Sequence, residues 1–466
     1  MLFSSLTFLY YFLPAVLLCY FIAPKSWRNA VLLVFSLVFY AWGEPKYVFL
    51  MMATIISGYV LGMLTEKHRE TKKAKLFLTI AVVIDLAFLA VFKYTDFFID
   101  SVNAATGLAL PLLKIALPVG ISFYTFQILS YNVDVYRGTV PAQKSLIKLA
   151  CYVTMFPQLI AGPIVRYSHI EKQLSHRTCS FDMAAEGISR FVVGLGKKVI
   201  IANSMGQLVS AFQQSSEQTV LFYWLYAVAF SLQIYYDFSG YSDMAIGLGK
   251  ILGFEFMENF NYPYISKSIT EFWRRWHISL GSWFRDYVYI PLGGNRVSPL
   301  KWYRNIFVVW LLTGFWHGAA WNFMVWGLYF GIILVIEKFL LLKYVEKTEV
   351  VGHVYVLLLV MISFVIFNAN NMAEAFKYIG GLFGAGCHGF AGEESLYYLR
   401  SYAVLLMLAV VGATPLVKML FEKLRKADSR GVLSTVAESL AGLCLLVLCT
   451  AYLVDGSFNP FLYFRF

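Results

Sequence analysis

The stretch IFVVWLLTGFWHGAAWNFMVWGLYFGIILVI, residues 306–336, has 31 residues and contains no Lys, Arg, Asp or Glu. A single imidazole, that of His317, lies near its middle. Ionisable side chains are costly at membrane depth, and those that occur there generally have a function. The stretch therefore predicts a membrane-embedded segment that carries a functional histidine.

The length of this stretch predicts an irregular path through the membrane. As one straight helix it would measure roughly 46 Å, against roughly 30 Å for the hydrocarbon core of a bilayer. Its glycines weaken a continuous helix, so we expect a bend near Gly318–Asn322. With Arg304 at the cytoplasmic end, His317 would lie roughly 20 Å deeper, inside the bilayer.

The composition of the whole chain indicates an all-α polytopic membrane protein. Only 14% of its residues are charged and 59% are hydrophobic, whereas soluble proteins contain about 25% charged residues. Apolar segments recur along residues 1–466 and predict roughly ten to thirteen membrane segments in a single domain. The net charge of +11 comes from basic residues between these segments. The positive-inside rule explains that pattern better than nucleic-acid binding.

Basic clusters predict the orientation of the chain. Residues 66–75 and 418–430 are rich in Lys and Arg and should be cytoplasmic. Counting apolar segments outward from them puts both termini on the extracytoplasmic side. The six cysteines form no CxxC motif, so neither a zinc site nor a disulfide framework is expected.

A second apolar segment, Cys151–Ile164, is too short to cross a bilayer and contains Pro157 and Pro163. One interpretation is a half-span that enters and leaves on the cytoplasmic face. Such a path requires burial in protein or beside a cavity. The other interpretation is a packing helix kinked by proline.

The segment 267–304 carries seven basic and two acidic residues, interleaved with aromatic ones. At about 100° per residue these form opposite faces of a helix, which predicts an interfacial amphipathic helix in the cytoplasmic headgroup plane. Its basic face can anchor the membrane or attract an anionic donor. Candidate donor contacts are Arg274, Arg275, Arg285 and Trp276, since guanidinium groups bind phosphate bidentately. His277 lies at the edge of the aromatic face and, taken alone, is better explained as a structural histidine.

Two further polar residues, Asp237 and Tyr241, lie at the end of an apolar segment. They can line a cavity or cap and pack a helix, and the second explanation is favoured.

Three strings resemble the membrane-bound O-acyltransferase family, in its bacterial alginate O-acetyltransferase branch. They are DFSGYSDMAIGLGK (Asp237–Lys250), NFNYPYISKSITEFWRRWHISLGSWFRDYVYIPLGGNR (Asn259–Arg296) and LLTGFWHGAAWN (Leu311–Asn322). The N-terminal MLFSSLTFLYYFLP and the aromatic end Phe461–Phe466 fit the same branch. The resemblance implies a ring of tilted helices with half-spans around a thin core pierced by a tunnel. It also implies that His317 is catalytic and that His277 is a second functional position.

The resemblance further implies acetyl transfer from cytoplasmic acetyl-CoA, a donor substrate rather than a bound cofactor, toward an extracytoplasmic polysaccharide. The expected location is the bacterial inner membrane. The expected partner is an SGNH-type acetyltransferase or a small accessory membrane protein. His317 would act as general base, and Asn322 or a backbone N–H near Gly318 would stabilise the oxyanion. The alternatives are D-alanyl transfer for teichoic acid and, in another class, a polar-lipid transporter.

Overall fold

The computed structural model describes residues 1–160, 162–345, 347–428, 432–456 and 462. The described residues form helices joined by loops, with no β-strand among them, so the prediction of an all-α chain is confirmed. Most of the aromatic end Phe461–Phe466, and part of the basic cluster at 418–430, lie outside the described residues.

The chain groups into two compact units, and the single domain predicted for residues 1–466 stays a prediction. The first unit comprises Met1–Phe191 and Met244–Met257. The helices that begin in it are α1 Leu13–Ile22, α2 Arg28–Ala41, α3 Val48–Lys67, α4 Lys72–Leu89, α5 Thr95–Thr106, α6 Ile121–Arg137, α7 Leu146–Thr154, α8 Phe156–Leu159, α9 Tyr167–Ser175 and α10 Phe181–Gly196.

The second unit comprises Val192–Asp243 and Glu258–Phe466. The helices that begin in it are α11 Asn203–Gln214, α12 Val220–Ile251, α13 Ile269–Arg275, α14 Ile278–Phe284, α15 Pro299–His317, α16 Trp321–Ile336, α17 Leu342–Val345, α18 Glu349–Asn368, α19 Met372–Leu382, α20 Glu393–Gly412, α21 Leu416–Ala427 and α22 Val432–Asp455. All the candidate functional residues belong to this unit.

Six helical segments of the described chain are long and apolar enough to cross a membrane, and the protein is a multi-pass membrane protein. They are Pro45–Lys67, Lys72–Thr106, Trp321–Tyr344, Glu349–Asn368, Glu393–Gly412 and Val432–Asp455. The number is lower than the ten to thirteen segments expected. Some apolar segments of the sequence form shorter helices, such as Phe8–Ile22 and Arg28–Ala41. Helix α6 has 17 residues and is buried over most of its length.

The apolar run 306–336 is broken as predicted. Helix α15 ends at His317, Gly318 is extended (φ −166°, ψ 157°), and α16 begins at Trp321. The two helices pack closely because two glycines face the other helix. A Cβ on Gly314 would lie 2.2 Å from the Phe323 carbonyl oxygen, and one on Gly327 would lie 2.3 Å from the Trp310 carbonyl oxygen. Small residues permit such close backbone approach between membrane helices.

The segment Cys151–Ile164 is irregular and buried. Helix α7 ends at Thr154, the backbone turns at Met155 (φ −47°, ψ 110°), and the single-turn α8 ends at Leu159. The described residues of the segment are buried within the first unit. The interpretation as a single helix kinked by proline is therefore wrong. Burial in protein is what a half-span needs, and its position in a membrane stays a prediction.

The prediction of one continuous amphipathic helix within 267–304 is also wrong. The segment forms two short helices, α13 and α14, which are separated at Trp276 and His277. The predicted apolar face is nevertheless the one that is buried in the protein, including Phe272, Leu280 and Trp283. The apolar residues keep their helical spacing across the break because the break is short. That spacing therefore does not reveal where the helix is interrupted.

The close packing of α15 and α16 should contribute to the thermal stability of the protein. Gly327→Ala should lower the thermal unfolding midpoint in detergent, because overpacking costs about 1–3 kcal/mol. Gly442→Ala is the matched control, since a Cβ at Gly442 meets nothing within 4 Å and alanine is the better helix former. Equal midpoints for the two variants would contradict the packing account.

Candidate active site

His317 is the last residue of α15, and its side chain is 7% exposed. Its imidazole lies among aromatic rings, with centroids 5.0 Å from Trp316, 5.1 Å from Trp326 and 5.3 Å from Phe367. The helix end exposes the ring to neighbouring elements, and the aromatic wall shields it from water. The site can therefore hold an imidazole in apolar surroundings, as the sequence predicted.

His277 lies in the same surroundings. Its ring centroid is 5.9 Å from that of Trp316 and 4.6 Å from that of Phe238, and only 2% of the residue is exposed. Trp316 thus contacts both imidazoles. We call His277, Trp316, His317, Trp326 and Phe367 the histidine cluster. The sequence predicted each histidine separately, and the structure brings them together.

A left-handed backbone at His277 (φ 47°, ψ 52°) separates α13 from α14. Non-glycine residues in this region are uncommon and require support from their surroundings. The support is a pair of backbone hydrogen bonds on either side of His277. Asn261 N–H donates to the Arg275 carbonyl (2.9 Å), and Ile278 N–H donates to the Asn259 carbonyl (3.0 Å).

The side chain of Asn259, which is fully buried, holds the His277 ring. Asn259 Oδ1 lies 3.2 Å from His277 Nδ1 and accepts from Ser279 N–H (3.2 Å) and Ser279 Oγ (2.8 Å). Its Nδ2 donates to Ser242 Oγ (3.1 Å). Sequence reasoning missed Asn259, which lies 18 residues before His277 with no spacing signal.

Burial lowers the pKa of His277 well below its usual range, and the nearby His317 lowers it further. His277 lies outside the six candidate spans. Because desolvation disfavours the charged imidazolium, His277 is neutral at physiological pH. A neutral imidazole can accept a proton or a hydrogen bond.

Glu337 fixes α13 next to α16. Its carboxylate is fully buried and accepts hydrogen bonds from Ile269 N–H (2.6 Å), Thr270 N–H (2.9 Å) and Thr270 Oγ (2.6 Å). These are free amides at the start of α13, where an anion is favourable. Sequence reasoning missed this role, although Glu337 is the charge that ends the apolar run.

The three candidate arginines differ in their partners. Arg285 forms a bidentate ion pair with Asp286 (2.7 and 3.1 Å), and Arg275 Nε pairs with Glu271 at 2.9 Å. Arg274 is exposed and has no ion pair within the described ranges. Two of the three arginines thus already pair with a carboxylate, and Arg274 is the one of these three that is open to an anionic ligand.

Two other candidates, Trp276 and Asn322, have structural partners. Trp276 stacks on Phe272 at 5.5 Å, inside the aromatic core rather than on an open surface. Asn322 Nδ2 donates to the Ala369 carbonyl at 3.0 Å, close to the end of α18. This contact anchors Asn322 to the end of α18, and its oxyanion role stays a prediction.

Asp237 and Tyr241 are both buried. Asp237 forms a buried ion pair with Lys198 (2.5 Å) and accepts from Leu462 N–H (3.0 Å). This favours the packing explanation for Asp237, since both carboxylate oxygens have a partner. Nothing in the sequence points to Lys198, because an ion pair across 39 positions has no local pattern.

Comparisons with known proteins identify the family of the chain. Residues 140–372 match the model of the membrane-bound O-acyltransferase family. A protein from Azotobacter vinelandii described as "Probable alginate O-acetylase AlgI" is 41% identical over the full length of both chains. A peptidoglycan O-acetyltransferase from Helicobacter pylori is 32% identical over 90% of this chain and 87% of its own.

The chain belongs to the membrane-bound O-acyltransferase family, as its motifs predicted. A teichoic acid D-alanyltransferase from Bacillus subtilis is also similar, with 31% identity over 47% of this chain and 59% of its own. The matched family region contains both histidines.

Anchoring of α13 by Glu337 makes a second prediction. Glu337→Gln should lower the thermal unfolding midpoint, because an amide NH₂ would then oppose the buried N–H donors, at a cost of about 1–3 kcal/mol. Glu349→Gln is the control, since Glu349 pairs with Lys267 at an exposed position and exposed pairs contribute little. Equal midpoints in the same detergent would contradict the anchoring role.

Proposed function

We propose that this protein is an inner-membrane O-acetyltransferase that moves an acetyl group from cytoplasmic acetyl-CoA toward an extracytoplasmic polysaccharide. The observation that carries the proposal is the histidine cluster, in which two buried imidazoles adjoin one tryptophan. The full-length relatives named for alginate and peptidoglycan O-acetylation support an acetyl donor and a polysaccharide acceptor.

His317 acts as the general base. Its imidazole takes the proton from the acceptor hydroxyl, whose oxygen attacks the thioester carbonyl carbon. A C–O bond forms, the C–S bond breaks, and the imidazolium returns its proton to the departing thiolate. The reaction therefore consumes no net proton. His277 orients the donor beside this base.

The donor enters from the cytoplasm and the acceptor hydroxyl from outside, with both termini of the chain extracytoplasmic. The acceptor is a hydroxyl of the polysaccharide or of an SGNH-type acetyltransferase that passes the acetyl group on. A small accessory membrane protein is the other candidate partner. The partial similarity to a D-alanyltransferase makes a D-alanyl thioester on a carrier protein the competing donor.

Loss of the general base should abolish transfer. In proteoliposomes with labelled acetyl-CoA, His317→Ala should reduce acceptor O-acetylation by about 10²–10⁴-fold. His388→Ala, at an exposed histidine, is the control and should keep full activity. Undiminished transfer in correctly inserted His317→Ala would refute the assignment, and transfer from a D-alanyl carrier alone would refute the acetyl donor.

Arg274 provides a test of donor attraction. Arg274→Gln should raise the KM for acetyl-CoA with little change in kcat, since it removes a contact made equally in ground and transition states. Arg425→Gln removes the same charge from another exposed position in a predicted cytoplasmic cluster. If both variants raise KM equally, the effect is general surface charge and Arg274 is not a donor contact.

A further inference from the structure

The orientation of the Asn259 amide is determined by a backbone donor. Ser279 N–H can only donate, and it lies 3.2 Å from the Asn259 atom assigned as Oδ1. Exchanging Oδ1 and Nδ2 would place an NH₂ group against this N–H, so that two donors would face each other. Amide orientations are assigned from such networks, and this one requires the oxygen to face Ser279 and His277.

The orientation of the amide then determines the tautomer of His277. Asn259 Oδ1 is an acceptor without a hydrogen, so His277 Nδ1, 3.2 Å away, must carry the proton and donate it. In a neutral imidazole the other nitrogen is then an unprotonated acceptor. His277 Nε2 is buried and has no hydrogen-bond partner in the part of the chain that the structure describes.

We propose that Asn259 is a positioning residue that holds His277 in the Nδ1-protonated tautomer and keeps Nε2 unprotonated within the histidine cluster. A buried acceptor without a partner is costly, and such cost is typical of a functional site. The chemical class that Nε2 recognises is an N–H or O–H donor, such as an amide of the thioester donor or the acceptor hydroxyl. The effect on catalysis rests on the proposed function. The tautomer rests only on the hydrogen bonds around His277.

Few groups around His277 can ionise and thereby change its protonation. Phe238 faces it from α12 and Trp316 from α15, and neither ionises. Asn259 and Ser279 are its polar neighbours, and His317 is the titratable group that influences it. A carboxylate at position 259 would therefore be a new charge beside the ring.

The first experiment is ¹⁵N NMR of the full-length protein in lipid, with labelled histidine and His277→Gln for assignment. The wild-type protein should show a protonated Nδ1 and an unprotonated Nε2 at pH 7.5. A signal for protonated Nε2 would overturn the inference, whatever the activity. Since this measurement does not require transfer, it separates failure of the tautomer from failure of the proposed function.

The second experiment is the pH profile of acetyl transfer in Asn259→Asp, which keeps the shape of the side chain and the three hydrogen bonds that Oδ1 accepts. A carboxylate stabilises the imidazolium and raises the pKa of His277, so activity that needs neutral Nε2 should be lost at higher pH than in the wild type. We expect kcat at pH 6 to fall by about tenfold relative to pH 8. Asn259→Ala should instead lower kcat about 10–100-fold.

Ser242→Ala is the matched control, because it removes the other partner of Asn259 and leaves the contact with His277 in place. At low pH, the activity of Ser242→Ala should fall over the same pH range as that of the wild type. An acidic limb that is unmoved in a folded Asn259→Asp, or that moves equally in Ser242→Ala, would overturn the catalytic part of the inference.

Discussion

The end of helix α15 at His317 is the constraint on which the candidate active site depends. If the helix continued, the His317 ring would be one side chain on a regular apolar surface. Instead Gly318 is extended, and α16 returns alongside α15 through the close contacts at Gly314 and Gly327. This return places Trp326 against the His317 imidazole. The glycines therefore determine both the packing of the two helices and the wall of the cluster.

The second histidine depends on a different kind of interaction. His277 lies in a strained left-handed conformation between two short helices, and each neighbouring element is fixed by a buried polar side chain. Glu337 accepts the free N–H groups at the start of α13, and Asn259 accepts from His277 and Ser279. Buried polar groups are stable only when they are hydrogen-bonded. Such a network specifies one geometry for the imidazole.

The sequence predicted the all-α fold and the break in residues 306–336, and the family resemblance pointed to both histidines. The composition of the chain is enough to predict the fold, and the length of the apolar run is enough to predict the break. The sequence did not predict the break at Trp276 and His277, because the apolar periodicity continues across it. Asn259, Glu337 and Lys198 were missed because each acts on a residue far away in sequence. The partner of Asn322 was missed for the same reason, because the Ala369 carbonyl is 47 positions away.

The most direct test of the account is the sidedness of transfer at the histidine cluster. Protein in sealed vesicles would receive labelled acetyl-CoA outside, with the acceptor polysaccharide and an SGNH-type partner enclosed. The account predicts labelled ester inside and free CoA outside, both absent with His317→Ala. Ester formation only when donor and acceptor share a compartment would contradict it.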